Sequence, residues 1–202
     1  MRKGLVHVYT GNGKGKTTAA FGLALRAVGQ GLKVMVIQFM KGGAYTGEYL
    51  AAKNFLPNIK IIQFGRACLK QQKQMKIIGF EEKAFDFVRD EIECGNCRHC
   101  FLNDTIQKDY VEEGFKKALE VVMSGDYQLV ILDEINTAMS WDFLNVELMM
   151  NLIANKPEQV ELILTGRDCP EEVRHIADLV TEMQAEKHYF DTGVKARKGI
   201  EY

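Results

Sequence analysis

Thr10-Gly11-Asn12-Gly13-Lys14-Gly15-Lys16-Thr17-Thr18 gathers the groups that a polyphosphate needs. Its glycines let backbone N–H groups turn toward one point, and a helix starting at its end adds a positive N-terminus. Lys16 can place an ammonium on phosphate oxygens, and the Thr17 hydroxyl can ligate Mg²⁺. The usual phosphate-loop pattern, G-x-x-x-x-G-K-[ST], would put glycine at Thr10, whereas Gly11 comes one residue late. The loop is a shortened variant. A second signal is Gln128-Leu129-Val130-Ile131-Leu132-Asp133-Glu134, an apolar run that ends in two carboxylates. In phosphate-loop proteins such a strand end holds Mg²⁺ or orients water. A third is Cys94-x-x-Cys97-x-x-Cys100, with the spacing of zinc or iron–sulfur ligation and with His99 or Cys68 as a fourth ligand. Plain reduced thiols are the alternative. Arg167 follows a further strand and is a candidate for stabilising charge on a polyphosphate. Lys41 follows the second strand; Arg26, about three turns into the first helix, is either a surface arginine or a phosphate contact. His7 reads as a strand residue and Cys169 as an ordinary cysteine, while Lys187 and His188 are surface charges or site residues. No Ser–His–Asp or Cys–His arrangement is evident.

These residues need positioning elements. Leu5-Val6-His7-Val8-Tyr9 is an apolar run leading into the loop. Ala20, Leu23, Ala24, Ala27 and Val28 then fall on one helical face, which Gly29 and Gly31 stop. Val34–Phe39 is nearly continuously apolar, as in a strand buried on both faces. Strand, phosphate turn, helix and strand predict a βαβ unit within an α/β protein whose mostly parallel sheet is flanked by helices. Lys41-Gly42-Gly43, with Gly47-Glu48 nearby, belongs to the sheet edge where ligands collect. Ile59–Phe64 is a third strand, ending at Gly65-Arg66-Ala67-Cys68. Residues 69–103, including a helical stretch at Glu81–Asp90 and the cysteine cluster, read as an insertion or lid in a single domain, 1–202. Asp104 predicts the N-cap of a long helix with Val111, Phe115, Ala118, Leu119 and Val122 inward. Val160–Leu164, ending in Thr165-Gly166-Arg167, and Leu179–Met183 complete the sheet, and the tail is polar with a few aromatics.

Composition narrows the partners. The 202 residues carry 26 basic against 27 acidic side chains, so nothing draws the chain as a whole to nucleic acid or an anionic membrane. No apolar run approaches the roughly 20 residues of a membrane span. Met1-Arg2-Lys3-Gly4 leads straight into a strand without a signal peptide. The five cysteines suit thiols or metal ligands better than a disulfide framework. A cytoplasmic protein is expected.

Thr10 through Ala20 resembles the N-terminal signature of the ATP:corrinoid adenosyltransferases of the CobA/BtuR/CobO type. The resemblance continues through Gly22, Ala24, Arg26, Gly29 and Gly31, then Gln38-Phe39-Met40-Lys41-Gly42. It resumes at Leu132-Asp133-Glu134-Ile135-Asn136, Thr165-Gly166-Arg167, Ala177 to Met183 and Lys187-His188, and closes with Gly193-Val194-Lys195-Ala196 and Gly199-Ile200-Glu201-Tyr202. It implies a RecA-like phosphate-loop fold, commonly dimeric, with ATP bound in a reversed sense. It also implies transfer of the 5′-deoxyadenosyl group of ATP to a Co(I) corrinoid with release of triphosphate, in adenosylcobalamin synthesis or salvage, with a flavoprotein-type electron donor. Gly11, Asn12, Gly13, Lys14, Gly15, Lys16, Thr17 and Thr18 would cradle the triphosphate. Thr17 and Glu134 would hold Mg²⁺, Asp133 would support or join them, and Arg26, Lys41 and Arg167 would add contacts. Better-known members carry a Phe-x-Trp pair at the corrin's lower face. Here the tryptophan is Trp141, and Phe64, Phe80, Phe101 and the cysteines occupy the corresponding region. A nucleoside kinase with a cysteine metal lasso, using Glu134 as base, is the alternative. A nucleotide switch or nucleic-acid-associated ATPase fits the balanced charge less well.

Overall fold

The computed structural model describes residues 3–42, 46–66 and 101–201. Six strands form one sheet: β1 (Val6–Thr10), β2 (Val34–Phe39), β3 (Ile59–Phe64), β4 (Leu129–Asp133), β5 (Glu161–Thr165) and β6 (Leu179–Glu182). Their order is β3-β2-β4-β5-β1-β6, and every neighbouring pair is parallel. Among the described residues, six helices and a 3₁₀ turn accompany them. They are α1 (Lys16–Gly29), α2 (Gly47–Phe55), α3 (Thr105–Ser124), α4 (Ile135–Ser140), α5 (Val146–Asn155), α6 (Glu171–Ile176) and a 3₁₀ turn at Tyr189–Thr192.

Parallel strands need crossovers, and the crossovers cover both faces, which explains the unbroken apolar runs of β2 and β4. Alternate residues divide between two cores. Val34 and Val36 of β2 and Leu129 and Ile131 of β4 pack with Ala20, Ala24 and Ala27 of α1. Met35, Ile37 and Phe39, with Val130 and Leu132, pack against Val111, Phe115, Ala118 and Val122 of α3. The small alanines let α1 lie close to the sheet. Asp104 caps α3 as expected, its side chain accepting the Gln107 N–H at 2.9 Å. Leu119, however, is 44% exposed, and Val121 takes the buried place on that helix.

Because all strands run the same way, the segments following β1, β2, β4 and β5 emerge at one edge. They carry the glycine–lysine loop, Lys41, Asp133-Glu134 and Thr165-Gly166-Arg167. β6 is a short edge strand, exposed throughout. The insertion proposed at 69–103 lies outside the described residues as far as residue 100. Phe101, which re-enters there, packs edge-on against Trp141 with ring centroids 5.2 Å apart.

Candidate functional site

The loop turns between β1 and α1 through left-handed glycines, Gly11 (φ 94°) and Gly15 (φ 117°), conformations that disfavour any side chain. Thr10, where the usual pattern has glycine, is buried, and its hydroxyl accepts the Cys169 N–H at 3.2 Å. That threonine ties the loop's first residue to the segment after β5. The Cys169 thiol is itself buried, and its pKa is pushed up to about 12 by that burial, in keeping with an unreactive cysteine.

Lys16 opens α1 and is only 7% exposed. Its ammonium donates to the carbonyls of Gly11 at 2.6 Å and Gly13 at 2.8 Å. Burial lowers its pKa, with Glu134 opposing. Among the described residues it faces no carboxylate at hydrogen-bond distance; its partners are carbonyls of its own loop. An anion entering the cradle would relieve the cost of that buried charge.

Asp133, fully buried at the end of β4, is the hub of the site. One carboxylate oxygen accepts from the Thr17 hydroxyl at 2.9 Å and the Thr165 hydroxyl at 2.7 Å. The other accepts from the Gln38 amide at 3.0 Å and the Lys41 ammonium at 2.7 Å. Burial alone would raise its pKa, but Lys41 and the hydroxyl donors outweigh burial and hold the carboxyl below its ordinary range. The same pairing, with help from Glu134, raises Lys41 against burial. Gln38 in turn accepts from Gln63 at 2.8 Å, so a buried polar line runs from β3 through β2 to β4.

Glu134 leaves the strand in a left-handed conformation (φ 66°) and begins α4. Its backbone N–H donates to Thr165 Oγ1 at 3.0 Å, and its carboxylate accepts from Thr137 at 2.9 Å. Thr137 Oγ1 accepts the Arg167 N–H at 2.9 Å. Gly166 (φ 134°) is confined here, since a Cβ would lie 2.7 Å from the Thr137 nitrogen. Arg167 is exposed beside this junction, and it joins the network through its backbone N–H.

The structure thus brings Lys16, Thr17, Lys41, Asp133 and Glu134 into one region, with Asn12 and Thr18 exposed on the loop and helix start. Arg26 is separated from it. It lies ten residues along α1 from Lys16 and lines a cavity of about 380 Å³ with Leu23, Gln128 and Glu161, at the opposite end of the sheet. His7 pairs with Glu161 through Nε2 at 2.9 Å, the role of a partnered strand residue. Cys94, Cys97 and Cys100 lie outside the described residues. For Mg²⁺, the Thr17 hydroxyl gives its hydrogen to Asp133, which leaves its lone pairs for a cation, and Glu134 is an adjacent carboxylate. Those hard oxygen donors fit that ion, which takes one or two protein ligands and completes its shell with phosphate and water.

Gln38, Thr165 and Thr137 were not legible as site residues. A polar residue inside an apolar run (Gln38), a hydroxyl closing a strand (Thr165) and a hydroxyl three residues after the acidic pair (Thr137) were the available signals.

Comparison with known proteins bears on this geometry. The family model for the ATP:corrinoid adenosyltransferases BtuR/CobO/CobP matches residues 2–107 and 79–202. The chain belongs to this family. Among the relatives of the BtuR/CobO/CobP family is a corrinoid adenosyltransferase of Escherichia coli strain K12, 35% identical over 200 residues, covering 99% of this chain and 86% of the relative. Another, from Pseudomonas aeruginosa, is 34% identical and covers 99% and 84%. A Sinorhizobium corrinoid adenosyltransferase is 35% identical over 202 residues, covering 99% and 81%. The family match spans both the shortened loop and the acidic strand, and the phosphate-loop α/β architecture is that of the family.

Proposed function

We propose that this corrinoid adenosyltransferase moves the 5′-deoxyadenosyl group of ATP onto the Co(I) centre of a corrinoid and releases inorganic triphosphate. The observation that carries the reading is Lys16, a buried ammonium at a helix start whose close partners among the described residues are the carbonyls of its own loop. Such a group is set to exchange them for phosphate oxygens. The cobalt electron pair attacks C5′, a cobalt–carbon bond forms, and the C5′–O bond breaks with its electrons leaving on triphosphate. That step needs no protein base at carbon. It needs alignment and a neutralised leaving group.

The chain supplies both. The loop from Gly11 to Thr18 shapes the triphosphate cradle, with Lys16 on its charge and Arg167 at the rim. Asp133 keeps Thr17 and Lys41 in place; with four donors on its two oxygens it is a poor proton acceptor. Thr17 and Glu134 would hold Mg²⁺, which when bound offsets the charge of the leaving triphosphate. The corrinoid, reduced by a flavoprotein-type donor, approaches from the open side, and the enzyme acts as a cytoplasmic homodimer. No helix among the described residues is long and apolar enough to cross a membrane. Cys94, Cys97 and Cys100 would staple the segment beside the corrin through zinc or an iron–sulfur cluster; elemental analysis of anaerobically purified protein finding neither metal would remove that staple.

The deciding experiment is incubation with Mg-ATP and chemically reduced cobalamin without oxygen, following the corrin spectrum and the phosphate product. Alkylated cobalt with triphosphate is expected. ADP without alkylation would instead indicate phosphoryl transfer, as in a nucleoside kinase.

A further inference from the structure

The chain does not leave the site after β6. Met183 donates its N–H to the Thr10 carbonyl at 2.9 Å, and its own carbonyl accepts the Gly13 N–H at 2.7 Å. Ala185 donates to the Asn12 side chain at 3.2 Å. The approach is close enough to dictate residue type: a Cβ on Gly11 would lie 2.4 Å from the Met183 oxygen, and one on Gly13 would lie 2.7 Å from it. Gly13 is not in the left-handed region, so this contact, rather than backbone strain, is what excludes a side chain there.

The tail then returns to the loop. The turn at Tyr189–Thr192 ends at left-handed Gly193, and the chain comes back to put Glu201 beside Tyr189. Lys14 Nζ donates to Tyr189 Oη at 2.9 Å, the Ile200 carbonyl at 3.1 Å and Glu201 Oε1 at 2.8 Å. Glu201 also accepts the Arg197 N–H at 2.6 Å and its guanidinium at 3.2 Å, and that guanidinium sits 5.1 Å from the Tyr189 ring. One carboxylate thus lies between two cations. The donors of Arg197, Lys14 and Tyr189 keep Glu201 ionised well below the usual carboxylate range.

We propose that residues 183–201 form a strap that fixes the phosphate loop from outside, and that Lys14, anchored on Tyr189 and Glu201, positions the loop for triphosphate rather than binding it. The proposal rests on reading the loop as a triphosphate cradle. The strap occupies the Gly13 N–H and the Lys14 ammonium, leaving Lys16 and the start of α1 for the ligand. A loop one residue short has less chain to wrap an anion, and the strap holds it in shape beforehand, which lowers the ordering cost of binding.

The test uses the full-length enzyme and its Lys14→Met, Tyr189→Phe, Glu201→Gln and Lys14→Met/Glu201→Gln variants. Dissociation constants for Mg-ATP and inorganic triphosphate are measured by titration, alongside kcat and both KM values. Each single change is expected to weaken both ligands about threefold to tenfold. The KM for ATP rises with it, while kcat at saturating ATP and the KM for the corrinoid stay put. The double variant should bind no worse than Lys14→Met alone, because both changes cut the same connection. Tighter binding by Glu201→Gln would mean that the carboxylate competes with phosphate for Lys14, and overturns the proposal. So would additive losses in the double variant, the mark of a lysine that touches phosphate. Tyr189→Phe removes one hydroxyl from a half-buried ring and still reports if Glu201→Gln unsettles the tail. Wild-type protein that binds neither ligand would overturn the cradle itself; wild-type binding matched by every variant would overturn the strap alone.

Discussion

Lys16 and Asp133 do different work with opposite charges. Lys16 is buried without a counter-charge at hydrogen-bond distance among the described residues, so its removal should leave the fold little disturbed and the proposed anion site disabled. Lys16→Ala should therefore abolish adenosyl transfer while circular dichroism and the melting temperature of the nucleotide-free protein stay near wild type; retained turnover would take the phosphate role from it. Asp133 is the reverse. Asp133→Asn leaves Lys41 facing an amide in place of its buried counter-ion and should cost about 3 kcal/mol in urea unfolding at neutral pH. The pH dependence has a definite sign. The folded pKa of Asp133 lies below its ordinary 3.8, so its contribution is complete above that value and lost as pH falls through the folded pKa. Lys41 is raised above its ordinary 10.5, so the pair is not lost on the alkaline side until beyond that value. The stability gap between wild type and Asp133→Asn should stay flat from about pH 5 to 8 and close only in strong acid.

Among the elements, the long strands and helices were readable because each repeats one demand many times. β2 and β4 are apolar at consecutive positions because helices cover both faces, and α1 and α3 show a buried stripe because one side meets the sheet. The short helices α4 and α6, six residues each, offer too few turns for a periodic pattern, and α4 starts at a left-handed glutamate that no pattern marks. Leu119 was expected inside α3 because it extends the apolar stripe, but Val121 and Val122 complete that face. The same helix contains a position that sequence alone reads as a weakness. Gly114 lies where α3 crosses the sheet, and a Cβ there would come within 2.9 Å of Phe39 Cε1 and Phe64 Cβ. Alanine would gain about 1 kcal/mol of helix propensity, yet Phe39 is fully buried and has no room to yield. Overpacking of this kind costs about 1–3 kcal/mol. Gly114→Ala should be net destabilising by roughly 1 kcal/mol in chemical denaturation, and a stabilised variant would show that the helix can shift outward.

At the scale of the whole molecule, the site draws its parts from opposite ends of the chain. Thr17 meets Asp133 across 116 positions, and Lys14 meets Glu201 across 187. Unfolding must separate these groups, so a ligand held by the assembled edge stabilises the entire fold rather than one loop. At a hundred times its dissociation constant a ligand specific to the native state adds about 2.7 kcal/mol, and in a domain of this size each kcal/mol moves the melting temperature by roughly 2–4 °C. Inorganic triphosphate with Mg²⁺ should therefore raise the melting temperature by about 5–10 °C. Adenosine at the same concentration should do much less, because it carries no charge for the proposed phosphate site at the sheet edge to meet. Lys16→Ala should lose most of the triphosphate shift. A larger shift from adenosine than from triphosphate would place the binding energy on the nucleoside, and the leaving-group cradle would no longer be the feature around which this fold is built.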